Sequence, residues 1–323
     1  MSTSSLRAPH VDDLAAVTEL LNRANASIGI PIVMDPAELA EEWDSSLTTM
    51  TRDCRVLEVD GRIVGATWTL FLPSDEVTQR CYVEGAVDPD MLGRGFGRQL
   101  MNWGVDHARE LFATLTHRNQ PWSIRVQRRV DDDSRRRLMD RYGFSPIRYF
   151  DELERSLDDL PPVTTVPGID FVDWPIDDPT RDEEIRSMKN ASFADHWGSS
   201  ATSPEGWAEL TRGFGSRLDL SRLAIDTTSD RVVAFLLTKR YPADDTENRR
   251  SASIDKLGTL AEFRGRGIAS ALLVDAFHRY RTERLTHAVI DVDSDSPTGA
   301  HRLYRSLGFE THFSTVTSEM VIS

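Results

Sequence analysis

Apolar side chains recur every three or four positions at Leu100, Met101, Val105, Ala108 and Leu111, which predicts a helix over 98–111 with one buried face. A second helical run covers 270–280. Each is preceded by a β-type apolar run, 80–87 or 254–260, and by a short glycine-rich loop. Upstream, Leu14, Val17, Leu20 and Leu21 predict a helix within 7–25, and Asp35 followed by Pro36 caps another over 36–43. Runs at 55–59 and 63–72 joined through Asp60-Gly61 read as a hairpin. A strand at 122–126 and a polar helix at 131–141 then lead to Tyr142-Gly143-Phe144.

Residues 158–168, with Pro161, Pro162 and Pro167, break every periodicity and predict a linker. After it the pattern restarts, with a strand at 169–172, helices in 182–188 and 207–214, and strands at 223–225 and 232–239. The strand-loop-helix of 254–280 follows, then a strand at 287–292, a helix at 297–306 and Leu307-Gly308-Phe309. The two halves are in register: Gly95 aligns with Gly267 (267 − 95 = 172) and Gly143 with Gly308 (308 − 143 = 165). This predicts a tandem duplication, with domains at 1–157 and 169–323 around the linker. Each domain is expected to be a mixed α/β (α+β) unit.

At 323 residues, 39% of them hydrophobic, both domains can bury a core of their own. The formal charge of −14 argues against nucleic acid as a partner. The two cysteines, Cys54 and Cys81, have no metal-ligand spacing, so no metal site is expected. An N-terminus without an apolar core and the lack of a membrane-length apolar run predict a soluble, cytoplasmic protein.

Candidate chemistry centres on Arg264-Gly265-Arg266-Gly267-Ile268-Ala269. Glycines between a strand and a helix let the helix's first N–H groups, which have no internal partner, approach an anion such as a pyrophosphate. A plain exposed turn is the simpler alternative. No Gly-Lys-Ser/Thr follows, and the third glycine and downstream acid of a dinucleotide fingerprint are missing.

With its neighbours, this stretch resembles the GCN5-related N-acetyltransferase (GNAT) motif Arg/Gln-x-x-Gly-x-Gly/Ala, and the run from Ser296 to Phe309 resembles that family's closing motif. The chain is therefore identified as a tandem GNAT protein, similar in architecture to the mycothiol synthase type but without a diagnostic acceptor motif. The resemblance implies a splayed, mostly antiparallel sheet flanked by helices, with the pantetheine arm of acetyl-coenzyme A between strands four and five. It places the pyrophosphate on the N–H groups of Arg266, Gly267, Ile268, Ala269 and Ser270 of the Arg264 loop, and pantetheine along Thr259, Leu260 and Ala261. Ser296 stands where many members have Asn, and Ala261 where many have Pro.

The resemblance also makes Tyr304 the general acid for the departing thiolate, where a half-buried packing tyrosine is the alternative. Asp255, aimed from its strand, is the candidate base, or else an exposed carboxylate paired with a nearby cation. Asp195-His196-Trp197 lies in an acceptor-side loop, as ligand wall or as packing. In the first domain, Leu92 replaces the motif's Arg and Met139 stands at the position of Tyr304, so catalysis is assigned to the second domain. Val87, Gly95 and Gly97 could still hold a coenzyme through their backbone. The expected function is acetyl-coenzyme A-dependent acetylation of a small-molecule amine by a monomer or homodimer. A non-catalytic acyl-coenzyme A sensor and a protein or peptide N-acetyltransferase are the alternatives.

Overall fold

The computed structural model describes residues 4–72, 78–115, 121–295 and 299–322. Their packing separates into two units, 1–149 with 315–323 and 150–314.

The first unit opens with strand β1 (Ser4–Arg7) and helices α1 (Leu14–Ser27) and α2 (Pro36–Trp43). Asp35 caps α2, accepting from the Ala37 N–H at 2.8 Å, and Pro36 fills the first helical position, where its missing N–H costs nothing. A ribbon of β2 (Asp44–Ser45) and β3 (Thr48–Thr49) and the single turn α3 (Met50–Asp53) follow. These pieces are too short to leave a periodicity, and the sequence did not reveal them. Then come β4 (Cys54–Val59), β5 (Arg62–Leu72), β6 (Gln79–Val87), α4 (Phe96–Ala113), β7 (Trp122–Arg129) and α5 (Asp133–Arg141).

Strand β8 (Ser145–Ser156) leads into the second unit, which continues with β9 (Ile169–Asp173), α6 (Pro179–Ser192), α7 (Pro204–Arg212), β10 (Arg222–Asp226) and β11 (Arg231–Lys239). β12 (Ser251–Thr259), α8 (Ile268–Thr282), β13 (His287–Asp293), α9 (Ala300–Ser306) and β14 (Glu310–Ile322) complete the chain. α7 begins earlier than expected because Ser203 caps it and Pro204 starts it.

Both units share one plan, a mostly antiparallel sheet with a single parallel pair. In the first, the order is β1-β4-β5-β6-β7 and then the end of β14, and only β6 and β7 run parallel. In the second it is β9-β10-β11-β12-β13 and then the end of β8, with β12 and β13 parallel. The duplicated sequence divides at the proline-rich 158–168, whereas the packing divides where ladders end. Residues 150–156 pair with β13, and 315–322 pair with β7.

The Gly-Phe signature of each half is a helix stop. Gly308 (φ +81°) and Gly143 (φ +78°) take the left-handed conformation just past α9 and α5, which suits glycine. The Phe309 and Phe144 N–H groups then reach back to the Tyr304 and Met139 carbonyls at 3.1 and 3.2 Å. Both phenylalanines are buried in their units' cores. α8 presents Ile268, Leu272, Leu273, Phe277 and Tyr280 to the second core, and Tyr280 shares a 2.7 Å hydrogen bond with Thr238 on β11.

Because Val316 is wholly buried and its strand pairs with β7, Val316→Ala is expected to destabilise the first unit by about 2 kcal/mol. Faster amide exchange in β7 would register this, and a loss seen only in β13 would contradict the strand assignment.

Candidate active site

β12 ends in one turn of 3-10 helix (Ala261–Phe263), and the chain then passes Arg264-Gly265-Arg266-Gly267 into α8. Gly265 and Gly267 adopt φ of +75° and +79°, and a Cβ on either would meet nothing within 4 Å. Backbone conformation, not crowding, demands glycine here, and the loop faces open space. The first helical hydrogen bond runs from the Ala271 N–H to the Gly267 carbonyl at 3.0 Å, so the N–H groups of Ile268, Ala269 and Ser270 precede the ladder. Ile268 itself is buried in the core, and its side chain anchors the helix start. The Arg266 guanidinium lies over the Phe263 ring, 5.1 Å from its centroid.

Arg264 faces inward. Its guanidinium donates to the Thr259 carbonyl (3.1 Å), to the Ser192 carbonyl at the end of α6 (2.9 Å), and to both Asp195 oxygens (2.6 and 3.1 Å). One side chain thus ties the end of β12, the end of α6 and the loop after α6 together. The guanidinium in turn holds the Asp195 carboxyl below its usual range. The motif's arginine is a structural clamp, and what the loop offers a ligand comes from its backbone.

Beside this loop the sheet is open. β12 pairs with β13 only over Ser251–Ser253 against His287–Val289, although β12 runs on to Thr259 and β13 to Asp293. On its other side β12 stays in register with β11, apart from a bulge that leaves Asp255 without a β11 partner. The Leu260 N–H donates to the Val233 carbonyl at 3.0 Å, so by alternation the N–H and C=O groups of Leu257 and the N–H of Thr259 point into the gap, the Thr259 carbonyl being taken by Arg264. This corrects the expectation for the Leu260 backbone and for the Ala261 carbonyl. The Leu260 N–H is used by β11, and the Leu260 and Ala261 carbonyls close the 3-10 turn by accepting from Phe263 and Arg264. Leu257, not singled out from sequence, joins Thr259 as a backbone facing the gap. Gly258 lets α6 press close, since a Cβ there would lie 2.6 Å from both Phe235 and the Ser192 hydroxyl.

Tyr304 is 6% exposed on α9, edge-on to Phe309 with ring centroids 5.6 Å apart, and burial pushes its phenol above the usual range. It therefore stays protonated and able to donate. Asp255 pairs with Lys256 at 3.2 Å. His196 and Trp197 follow α6, with Trp197 tilted against Phe150 at 6.3 Å and His196 against Phe193 at 4.5 Å. Burial, helped by Arg264 and opposed by Asp195, lowers the His196 imidazole, which is therefore neutral at pH 7. Ser296 lies outside the described residues.

Three ionisable groups in this unit went unnoticed in the sequence. Glu152 on β8 stands directly opposite Asp291 on β13. Burial and the facing Asp291 raise Glu152 to about 7. Lys189 on α6 is buried and donates to the Thr202 hydroxyl, and burial with nearby Lys256 brings it down to about 8. Cross-strand pairing between distant segments creates these environments, so no local spacing announces them. A 490 Å³ hollow lined by Asp182, Arg186 and Trp207, among others, shares no lining residue with the glycine loop.

The first unit repeats the backbone plan. Gly93 and Gly95 have φ of +77° and +88°, Gly95 caps α4, Gly97 lies in its first turn, and β6 and β7 part after Tyr82 and Arg125. At the positions of Arg264 and Tyr304 it carries the exposed Leu92 and the buried Met139.

An open parallel pair ending at a glycine-capped helix, built twice, defines an acyltransferase of tandem design. The Acetyltransferase (GNAT) family model matches residues 15–129 and again 183–309, and the chain belongs to that family. It is an N-acetyltransferase. A mycothiol acetyltransferase of Mycolicibacterium vanbaalenii is 30% identical over 182 residues, 52% of this chain and 54% of that protein. The chain thus spans just over half the length of that relative. The mycothiol acetyltransferase of Mycolicibacterium gilvum is 25% identical over 93% of this chain and 92% of its own length. A GCN5-related N-acetyltransferase from Sphaerobacter thermophilus shares the fold, with a TM-score of 0.77 and 24% identity over 98% of this chain and 95% of that one. Among the described residues no helix is long and apolar enough to cross a membrane, and no group of three or more His, Cys, Asp or Glu is placed to hold a metal.

Removing the clamp should free the loop it holds. Arg264→Ala is expected to speed amide exchange over 193–199 roughly tenfold, the equivalent of ~1.4 kcal/mol for lost bonds to a charged donor. Unchanged exchange there would mean that Arg264 does not position this segment.

Proposed function

We propose that the chain transfers the acetyl group of acetyl-coenzyme A to the amine of a small molecule, with the chemistry in the second unit. The observation that carries this reading is the gap between β12 and β13, which opens beside the glycine loop and turns the Leu257 backbone and the Thr259 N–H toward an extended guest. A pantetheine arm has the amide groups to lie there as a short extra strand. The pyrophosphate would rest on the N–H groups from Arg266 to Ser270, where the helix end favours negative charge.

The neutral amine attacks the thioester carbonyl, an N–C bond forms, and the C–S bond breaks. The amine's surplus proton goes to a carboxylate, and the departing thiolate takes its proton from the Tyr304 hydroxyl. Asp255 is the first candidate for the carboxylate. Lys256, 3.2 Å from Asp255 and close enough to Asp291 to act on its titration, links it to the Asp291–Glu152 pair. The relatives' name supports an acceptor of the mycothiol type, and the carboxylates around the gap suit a cationic amine.

Tyr304→Phe is expected to lower kcat by about 10²-fold or more while leaving coenzyme affinity unchanged. Equal loss of both would favour a packing role, and unchanged turnover would remove Tyr304 from the chemistry. A proton acceptor works only when ionised, so where the Glu152–Asp291 pair takes the proton in place of Asp255, kcat/KM climbs as pH rises through about 7, the range of Glu152, and Glu152→Gln flattens that rise; no rise there leaves Asp255 as the acceptor. Mass detection of acetylated product across small amines, a cysteinyl amino-sugar among them, and across peptides would decide the acceptor. Turnover on peptides alone would overturn the small-molecule reading.

A further inference from the structure

We infer that the first unit's gap is closed by its own side chain, Arg135, so that each chain takes up a single coenzyme, in the second unit. This rests on the reading of the second gap as the coenzyme site. In the first unit the Asp88 N–H donates to the Val64 carbonyl at 2.9 Å, so β6 turns the backbone of Gly85 and Val87 toward β7, from which it has already parted. An extended ligand would have to pair there. Arg135 already does: one guanidinium nitrogen donates to the Gly85 carbonyl at 3.1 Å and another to the Gln127 carbonyl of β7 at 3.2 Å.

Arg135 is held for this task. It lies in the first turn of α5, its own N–H donates to the capping Asp132 carboxylate at 2.9 Å, and that carboxylate stands 3.8 Å from its guanidinium. A planar fork with several donors in fixed directions can bridge two carbonyls on diverging strands, which a single ammonium does less well. In the second unit the sequence offset of 165 puts Ala300 at this place, a side chain with no polar atom. The two gaps are alike in their ladders, but Arg264 of the second bonds only the Thr259 carbonyl at the end of β12, whereas Arg135 of the first bonds both diverging strands.

Titration calorimetry of the full chain with coenzyme A tests this. The unaltered chain should bind one equivalent, Gly267→Val none, and Arg135→Met, which keeps the apolar stem, two. Two equivalents in the unaltered chain, or one remaining in Gly267→Val, would overturn the closure. So would a single equivalent in Arg135→Met with an unchanged melting temperature. If that variant fails to fold, the first two measurements still decide. Binding by Arg135→Met alone would leave the closure standing and overturn the reading of the second gap, and no binding by either protein would overturn both.

Discussion

Everything distinctive about this chain follows from a ladder left unfinished. β12 and β13 are long enough to pair over their whole length, yet they exchange hydrogen bonds only over the first three residues of each. Each unpaired backbone group in a protein interior costs free energy comparable to a lost hydrogen bond, so the opening persists only because water or a guest satisfies it. A sheet that parts in its middle therefore needs something in the opening, whether water, a guest or a side chain of its own such as Arg135.

Keeping the strands apart needs restraints on both sides. β13 is held by β8 along its full length, from His287 against Ser156 to Asp293 against Phe150. β12 is held by β11, pressed by α6 at Gly258, and pinned at its end by Arg264 through Thr259, Ser192 and Asp195. The bulge at Asp255 adds a local twist just beyond the last parallel pair. An arginine in the motif is explained by this geometry: three acceptors on three segments match a fork of donors better than they match any ligand contact.

Much of this was legible in the sequence because it rests on local rules. Helices with one apolar face, a Pro36 start, the Asp60-Gly61 hairpin and the left-handed glycines all announce themselves within a few residues, and the repeated spacing of Gly95 and Gly267 gave the duplication. The glycine loop's left-handed turns and the helix they open were legible too. What stayed hidden is non-local. Glu152 and Asp291 are 139 positions apart in sequence and meet only through the β8–β13 register, and nothing around either residue predicts a carboxylate that titrates near neutrality. The turn at Ala261 redirected the backbone of Leu260 for a similar reason, since the neighbouring strand claims its N–H.

Duplication gives two copies of the same backbone, and divergence then acts on side chains. Leu92 stands for Arg264 and lacks the clamp, Met139 stands for Tyr304 and lacks its hydroxyl, and Arg135 stands for Ala300 and adds a donor that meets the first gap's own carbonyls. These three changes point in one direction. A gap without a guest would carry unpaired carbonyls in its walls, and an internal guanidinium satisfies two of them. The first unit can then keep the shape of its twin without needing the twin's ligand to be stable, which lets it serve the fold while the second unit keeps the open ladder.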